Sequence, residues 1–224
     1  MNPTPDNLRT HFRKGSFCFF LECAPPAKEQ PFEPAMELPR RLARAVAGRT
    51  DITGITVSDR RYHDPCHDFV ELADNLQQLS QKPVVLHISG KRRTPEDVQK
   101  TIQQAEAKGI KHFFTVSGDA TADLAASPRN PGIPYTESIR SLHLCKGSDS
   151  ANVVGVAVNP FKYTPQDQFL QYLKVARKHH LGADYVVTQT GWDMKKLQEL
   201  QWYLQMRELP VSAIARISLL RKSE

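Results

Sequence analysis

The sequence predicts an α/β fold, a (β/α)₈ barrel of the TIM type, with seven βα strands visible in this chain. Short runs of β-branched and aromatic residues return about every 30 residues, which is the length that a strand and its following amphipathic helix occupy. A polar residue closes nearly every run. Because (β/α)₈ barrels build their active sites from the carboxyl ends of several strands, the two patterns together favour a barrel enzyme.

The predicted strands are the apolar runs between turn-rich segments. They cover residues 17–23, 52–58, 83–89, 112–118, 153–158, 185–190 and 211–217. The polar residues near their carboxyl ends are Glu22, Thr56, His87, Asp119, Asn159, Gln189 and Arg216. In a parallel barrel these ends share one rim, so we expect side chains that are distant in sequence to meet there.

Helices are predicted between the strands. The clearest begins at Thr94, which suits an N-cap, with Pro95 at the first helical position, and it ends at Gly109. The same Thr-Pro start recurs at Thr164, and that helix is expected to end near Gly182. The remaining helices are predicted at roughly 34–48, 65–80, 136–146 and 193–208. Pro39 is expected to split or kink the first of these.

The number of strands is one short of a closed barrel. The chain ends at Glu224, just after the seventh predicted strand. An eighth strand is needed, because open edges in a barrel leave backbone groups unpaired. We expect residues 1–224 to form a single catalytic barrel domain, with about 15 N-terminal residues as an extension and the eighth βα unit missing, as in a fragment. The alternative is that another segment or subunit closes the gap.

Composition indicates a soluble, cytoplasmic protein. Of the 224 residues, 40% are hydrophobic and 24% are charged, as in ordinary globular domains. No apolar run approaches the roughly 20 residues of a membrane helix, and no signal peptide is visible. The 4 cysteines show no CxxC spacing, so reduced thiols are expected. A net charge of +6 without a nucleic-acid-binding motif favours an anionic small ligand, with no nucleic-acid or membrane partner.

Glu22 is the strongest candidate for chemistry. It ends the first predicted strand and shares a strand face with Cys18 and Phe20. If that face points into the barrel, apolar walls would favour the protonated carboxyl group and suit it to general acid catalysis. The alternative is a structural carboxylate that binds backbone donors or pairs with an arginine across the top of the barrel.

Three further strand ends carry candidate ligand contacts. Gly118 permits close backbone approach, and Asp119 could accept a hydrogen bond from a ligand or cap the segment that follows. Gln189 could both donate to and accept from the edge of a heterocycle. His87 could contact a ligand or lie in the core as a satisfied histidine.

Two His-containing clusters are weaker candidates. Residues 62–67 (YHDPCH) include zinc-ligand types, but their spacing matches no established zinc motif and a surface loop explains them, so no metal is expected. Residues 177–180 (RKHH) end a predicted helix, where cations complement the helix dipole.

Read in order, the strand ends resemble motifs of the methylenetetrahydrofolate reductase family, which are flavin-dependent (β/α)₈ barrels. The family's FEFFPP, SVTYG, HLT, LRGD, VAAYPE and RKxxAGAxxxITQFFFD are similar to residues 21–26, 54–58, 86–88, 116–119, 156–160 and 177–193. The resemblance spans roughly residues 16–218.

The resemblance implies roles for individual residues. Glu22 would be the general acid that protonates N10 of the folate and opens its five-membered ring. Asp119 would lie near flavin and pterin as a second catalytic residue, and Gln189 would contact folate and nicotinamide in turn. The positions implied to bind FAD are Thr56, His87, Ser117, Gly118, Asp119, Asn159, Arg177 and Lys178.

The implied reaction is the reduction of 5,10-methylenetetrahydrofolate to 5-methyltetrahydrofolate by NADH or NADPH through FAD, a step of one-carbon metabolism and methionine biosynthesis. Ser117 stands where the family has the arginine of LRGD, and Asn159 stands where it has the tyrosine of YPE. These departures indicate a divergent branch of the family, with either an altered preference for the electron donor or a partner subunit that supplies the electrons. The chain could also form a homo-oligomer. The alternatives are a folate-binding accessory barrel without its own NAD(P)H oxidation and an unrelated barrel enzyme acting on a phosphorylated or carboxylated metabolite.

Overall fold

Seven parallel strands form one curled sheet in the described part of the molecule. The structure, a computed structural model, describes residues 6–59, 65–117 and 134–218. The strands are β1 (Phe20–Cys23), β2 (Gly54–Val57), β3 (Val84–Ser89), β4 (His112–Val116), β5 (Val153–Val158), β6 (Tyr185–Thr188) and β7 (Ser212–Ile214), and they pair in chain order. The predicted fold class is confirmed: this is a TIM-type barrel that lacks one βα unit among the described residues.

Helices alternate with the strands. They are α1 (Asp6–Arg13), α2 (Phe32–Ala35), α3 (Glu37–Ala47), α4 (Phe69–Ser80), α5 (Pro95–Ala107), α6 (Ser138–Ser148), α7 (Pro165–His180) and α8 (Met194–Met206). The two Thr-Pro starts behave as predicted, because the hydroxyl groups of Thr94 and Thr164 each accept a hydrogen bond from the third helical N–H. The predicted helix at 34–48 is split into two helices, as Pro39 led us to expect, but the break lies at Met36. No helix in the described ranges is long and apolar enough to cross a membrane.

The strands are apolar on both faces, because each face is covered. Outward-facing side chains such as Ile55, Leu86 and Val156 pack with the helices in the main core. Inward-facing side chains such as Val85 and Phe114 form a second cluster inside the barrel. Burial on both faces explains why the strands appear in the sequence as continuous apolar runs.

Helix α1 closes the amino end of the barrel. Leu8 and Phe12 pack in the interior cluster with Val153 and Tyr185, which are the first residues of their strands. The Ser212 hydroxyl donates to the Phe12 carbonyl oxygen at 3.1 Å, which joins α1 to the start of β7. Residues predicted only as an N-terminal extension therefore fill one end of the barrel interior.

Tyr185 fills the barrel interior above α1. Its ring lies 4.8 Å from the Phe12 ring between centroids, and its hydroxyl donates to the Phe113 carbonyl oxygen at 3.0 Å. A Cβ atom added to Gly155 would lie 2.3 Å from the Tyr185 ring. Gly155 thus provides the space that the tyrosine occupies, and no larger residue fits without a shift of the ring.

We expect Gly155→Ala to lower the free energy of unfolding by about 1–3 kcal/mol, because the added methyl group overpacks the barrel interior. Urea unfolding followed by circular dichroism measures the change. Gly147→Ala is the matched control, since nothing lies within 4 Å of its added Cβ in α6 and alanine favours the helix. Equal stability of the two variants would contradict this account of the interior.

Candidate active site

The carboxyl ends of the strands bring several predicted site residues to one rim. Glu22 in β1 is the register partner of Thr56 in β2, and both occupy positions near the ends of their strands. His87 lies near the end of β3, Asn159 directly follows β5, and Gln189 directly follows β6. Parallel pairing in chain order places all five at the same end of the barrel.

Glu22 is held by Arg216, a residue near the end of the chain. The Arg216 Nε donates to Glu22 Oε2 at 2.9 Å, and its Nη2 donates to Oε1 at 2.6 Å. Two parallel bonds of this kind are the strong geometry for an arginine and a carboxylate. The structural alternative weighed for Glu22, a pair with an arginine across the top of the barrel, is therefore present. The sequence signalled Arg216 only as the polar end of the seventh strand.

The Glu22–Arg216 pair spans the open side of the sheet. β1 and β7 are its two edges, and no backbone pairing between these strands is found in the described residues. Arg216 is anchored at its own backbone, because its N–H donates to Thr188 Oγ1 at 3.0 Å and its carbonyl accepts from Gly191 N at 3.3 Å. Its side chain thus reaches from a fixed point across the gap that an eighth strand would fill.

His87 lies inside the barrel beneath the rim. It is buried, and its ring contacts the Phe114 ring edge-on with centroids 4.9 Å apart. Burial, followed by the positive charge of Arg216, lowers the pKa of His87 to about 3. His87 is therefore neutral at physiological pH and can donate or accept a hydrogen bond without carrying charge.

Lys178 reaches the rim from α7. Its Nζ donates to the Ala157 carbonyl oxygen at 2.9 Å. The pairing of β4 with β5 ends at Thr115 and Val156, so this carbonyl lies where the two strands separate. Burial, with a smaller contribution from nearby Lys174, lowers the pKa of Lys178 to about 8. Lys178 forms no ion pair with any residue that the structure describes.

The neighbouring Arg177, predicted with Lys178 as an FAD contact, is exposed on α7. Ser117 Oγ accepts weakly from Ser138 N at 3.4 Å, so it contacts the start of α6. Asn159 Oδ1 accepts from Phe161 N at 3.0 Å and orders its own loop. Gln189 is exposed, with its backbone N–H bonded to the Val158 carbonyl. The structure therefore brings Lys178, Ser117 and Asn159 to the rim but leaves Arg177 towards solvent.

Two predicted site residues, Gly118 and Asp119, lie outside the described residues, as do residues 62–64 of the His-containing loop. In the remainder of that loop, His67 Nε2 hydrogen-bonds the Gln30 carbonyl oxygen at 2.8 Å. Among the described residues there is no group of three or more His, Cys, Asp or Glu side chains placed to hold a metal ion.

Comparison with known proteins adds a family and a fold. The sequence matches the family model described as methylenetetrahydrofolate reductase over residues 7–220. No curated protein sequence matches the chain. The barrel is similar to an uncharacterized protein from Clostridium thermocellum that binds two copies of 5-methyl-5,6,7,8-tetrahydrofolic acid, with a TM-score of 0.70, 14% identity and coverage of 93% of this chain and 68% of that chain.

Two further solved structures share the fold. A phosphoenolpyruvate phosphomutase from Streptomyces platensis subsp. rosaceus has a TM-score of 0.60 at 14% identity, covering 95% of this chain and 72% of its own. A 2,3-dimethylmalate lyase has a TM-score of 0.62 at 10% identity, covering 96% and 80%. At these identities, the structural comparisons establish the barrel fold alone.

We expect Arg216→Ala to lower the free energy of unfolding by about 1–2 kcal/mol, because Glu22 loses both donors and the sheet edges lose their link. The matched control is Arg49→Ala, which breaks an equally bidentate pair with Asp51, only two residues away. That local, fully exposed pair should contribute less, because solvent screens both charges. Urea unfolding of both variants measures the two changes. If Arg216→Ala lowers the free energy of unfolding less than Arg49→Ala does, Arg216 does not link the edges of the sheet.

Proposed function

The chain belongs to the methylenetetrahydrofolate reductase family, and from this premise we propose that it is a flavin-dependent oxidoreductase of folate one-carbon metabolism. The proposed reaction reduces 5,10-methylenetetrahydrofolate to 5-methyltetrahydrofolate with NADH or NADPH through FAD. The observation that carries the proposal is the extent of the family match, which includes residues 7–220 and so nearly the whole barrel.

A folate is the proposed substrate class. Support comes from the similar barrel of Clostridium thermocellum, which binds 5-methyl-5,6,7,8-tetrahydrofolic acid. In this chain, Glu22 and the exposed amide of Gln189 stand at the same rim and offer a carboxyl group and a donor–acceptor pair. A pterin, whose edge carries both donors and acceptors, suits such a set.

Glu22 is the proposed general acid for N10 of the folate. Both of its oxygens accept hydrogen bonds from Arg216. A carboxylate paired with an arginine carries no proton, so Glu22 must first take one up from solvent, which requires that the bound substrate draw Arg216 away from at least one oxygen. The backbone N–H of Arg216 is bonded to Thr188, so on this proposal the side chain moves while the backbone stays in place. On this proposal Arg216 holds Glu22 in place until substrate arrives.

The donor set at the rim fits FAD in one clear respect. Lys178 is a buried cation whose recorded partner is a neutral carbonyl oxygen, and an anionic pyrophosphate beside it would offset the cost of that burial. Thr56, Ser117 and Asn159 would supply neutral hydrogen bonds to other parts of the FAD. A bound flavin would supply hydride transfer between the nicotinamide and the folate, while the chain's own residues position the substrates and move the proton.

A second candidate function is a folate-binding or accessory barrel in methyl-transfer metabolism without its own NAD(P)H oxidation. The observation that favours it is the Glu22–Arg216 pair, in which both oxygens of the proposed acid already accept hydrogen bonds from the arginine. Ser117 also favours this function, because the resembled family motif LRGD has arginine at that position and serine removes its positive charge from the expected flavin site.

We expect Glu22→Gln to reduce the rate of folate reduction by at least about 100-fold, because glutamine cannot deliver a proton. Reduction of bound FAD by NAD(P)H, followed by flavin absorbance under anaerobic conditions, should remain within about twofold of wild type. The two half-reactions are measured separately by stopped flow.

The matched control is Glu33→Gln, which removes an exposed, arginine-paired carboxylate on α2 that is not among the predicted site residues and should leave both half-reactions unchanged. Equal losses in both half-reactions of Glu22→Gln would assign Glu22 a structural role. Wild-type protein that binds a folate but neither binds FAD nor oxidises NAD(P)H would establish the accessory function instead.

Binding of FAD should weaken as the pH rises above about 8, because Lys178 then loses the charge that attracts the pyrophosphate. Below that pH the lysine is protonated in the free protein, so affinity should be flat; above it, Kd should rise by up to about tenfold per pH unit. Fluorescence titrations between about pH 7 and 9.5 measure the trend. Lys178→Met should bind more weakly and lose the pH dependence, whereas the exposed Lys100→Met should match wild type. A pH-dependent Kd in Lys178→Met would exclude Lys178 as the source.

A further inference from the structure

The outer faces of α7 and α8 expose a large apolar surface that the proposed site does not use. Five large side chains, each between 44% and 83% exposed, form it. We call them the α7–α8 patch: Phe169, Leu170, Leu173, Trp202 and Met206. Contiguous apolar surfaces of this kind on soluble domains mark sites of association.

The patch is continuous because the two helices lie side by side. The rings of Tyr172 and Tyr203 stack with centroids 4.6 Å apart, and Gln168 Nε2 donates to Glu199 Oε2 at 2.6 Å. The contacts set residue 172 level with residue 203. Phe169 and Leu173 are one turn apart on α7, as are Trp202 and Met206 on α8, so the two pairs flank the tyrosine stack on its solvent side.

The size of the patch suits a pair of identical chains. From the exposed fractions of its five side chains, its accessible apolar area is roughly 500 Å², near the upper end of what monomers expose. Two copies placed face to face would bury roughly 1,000 Å² of apolar surface before any polar rim is added, which is about the minimum for a specific interface.

Charges along α7 favour a twofold arrangement. Asp167 lies in the first turn, whereas Lys174 lies two turns later on the same face and Arg177 lies in the last turn. If α7 of a second copy packed antiparallel, its basic C-terminal half would lie against Asp167 of the first copy. By symmetry, Asp167 of the second copy would lie against the basic half of the first. Both ends of the contact would then carry opposite charges around an apolar centre, as interfaces commonly do.

We propose that the α7–α8 patch is the interface of a twofold-symmetric homodimer, in which α7 packs antiparallel against α7 of a second copy. Leu170 lies near the axis, and Asp167 faces the partner's Lys174. Such an isologous contact uses one surface twice and closes at two copies. The proposal is independent of the function proposed above, because the patch lies on the outer helices and the candidate active site on the rim.

Sedimentation equilibrium of the full chain over a wide concentration range tests the proposal. Wild type should reach a mass near twice the 25.3 kDa of one chain. Leu170→Glu should raise the dimer Kd at least about thirtyfold, because it buries a charge near the axis. Leu38→Glu, at another exposed leucine, on α3, is the matched control and should leave the Kd unchanged. Circular dichroism verifies that both variants fold.

A charge exchange tests the orientation of the helices. Lys174→Glu should weaken the dimer, and adding Asp167→Lys should restore most of the affinity by re-forming the pair with reversed signs. Failure of the double variant to recover, with its helical content intact, would overturn the antiparallel arrangement. A wild type that stays monomeric at all concentrations, or a dimer that Leu170→Glu does not weaken, would overturn the interface itself.

Discussion

The shape of the barrel rim depends on the ion pair between Glu22 and Arg216. These residues are 194 positions apart and belong to the two edge strands of the sheet. Their two hydrogen bonds hold the carboxyl ends of β1 and β7 together where backbone pairing is missing in the described residues. The same contact fixes the orientation of the proposed acid and holds Arg216 near His87, whose pKa is lowered mainly by burial and further by the arginine charge. One ion pair thus both links the two edge strands and orients the proposed acid.

The interior of the barrel is divided between packing and chemistry. At the amino end, Leu8, Phe12 and Tyr185 fill the space with apolar atoms. At the carboxyl end, the side chains become polar and the strands separate enough for Lys178 to reach a strand carbonyl. Inside the barrel, apolar packing therefore lies at the amino end, and the polar groups that suit ligand binding lie at the carboxyl end.

Local sequence signals predicted most of the architecture. The Thr94 and Thr164 caps and the apolar strand runs depend on neighbours in the chain, so pattern alone identifies them. The division of the helix at 34–48 was predicted from Pro39, although the break lies at Met36, three residues earlier, because proline is tolerated in the first turn of α3. The packing of α1 and the pairing of Arg216 with Glu22 were not assigned. Both join residues about 200 positions apart, and only the curled sheet brings them together.

The position of α1 also bears on how the chain reaches its native state. This helix is synthesised before all the strands of the barrel, yet its Phe12 carbonyl binds Ser212, 200 residues later. The segment must therefore wait, unpaired with this neighbour, until Ser212 has left the ribosome. Contacts with such a large sequence separation slow folding and expose apolar surface for longer. We expect the nascent protein to depend on chaperones more than an α/β domain with short-range contacts would.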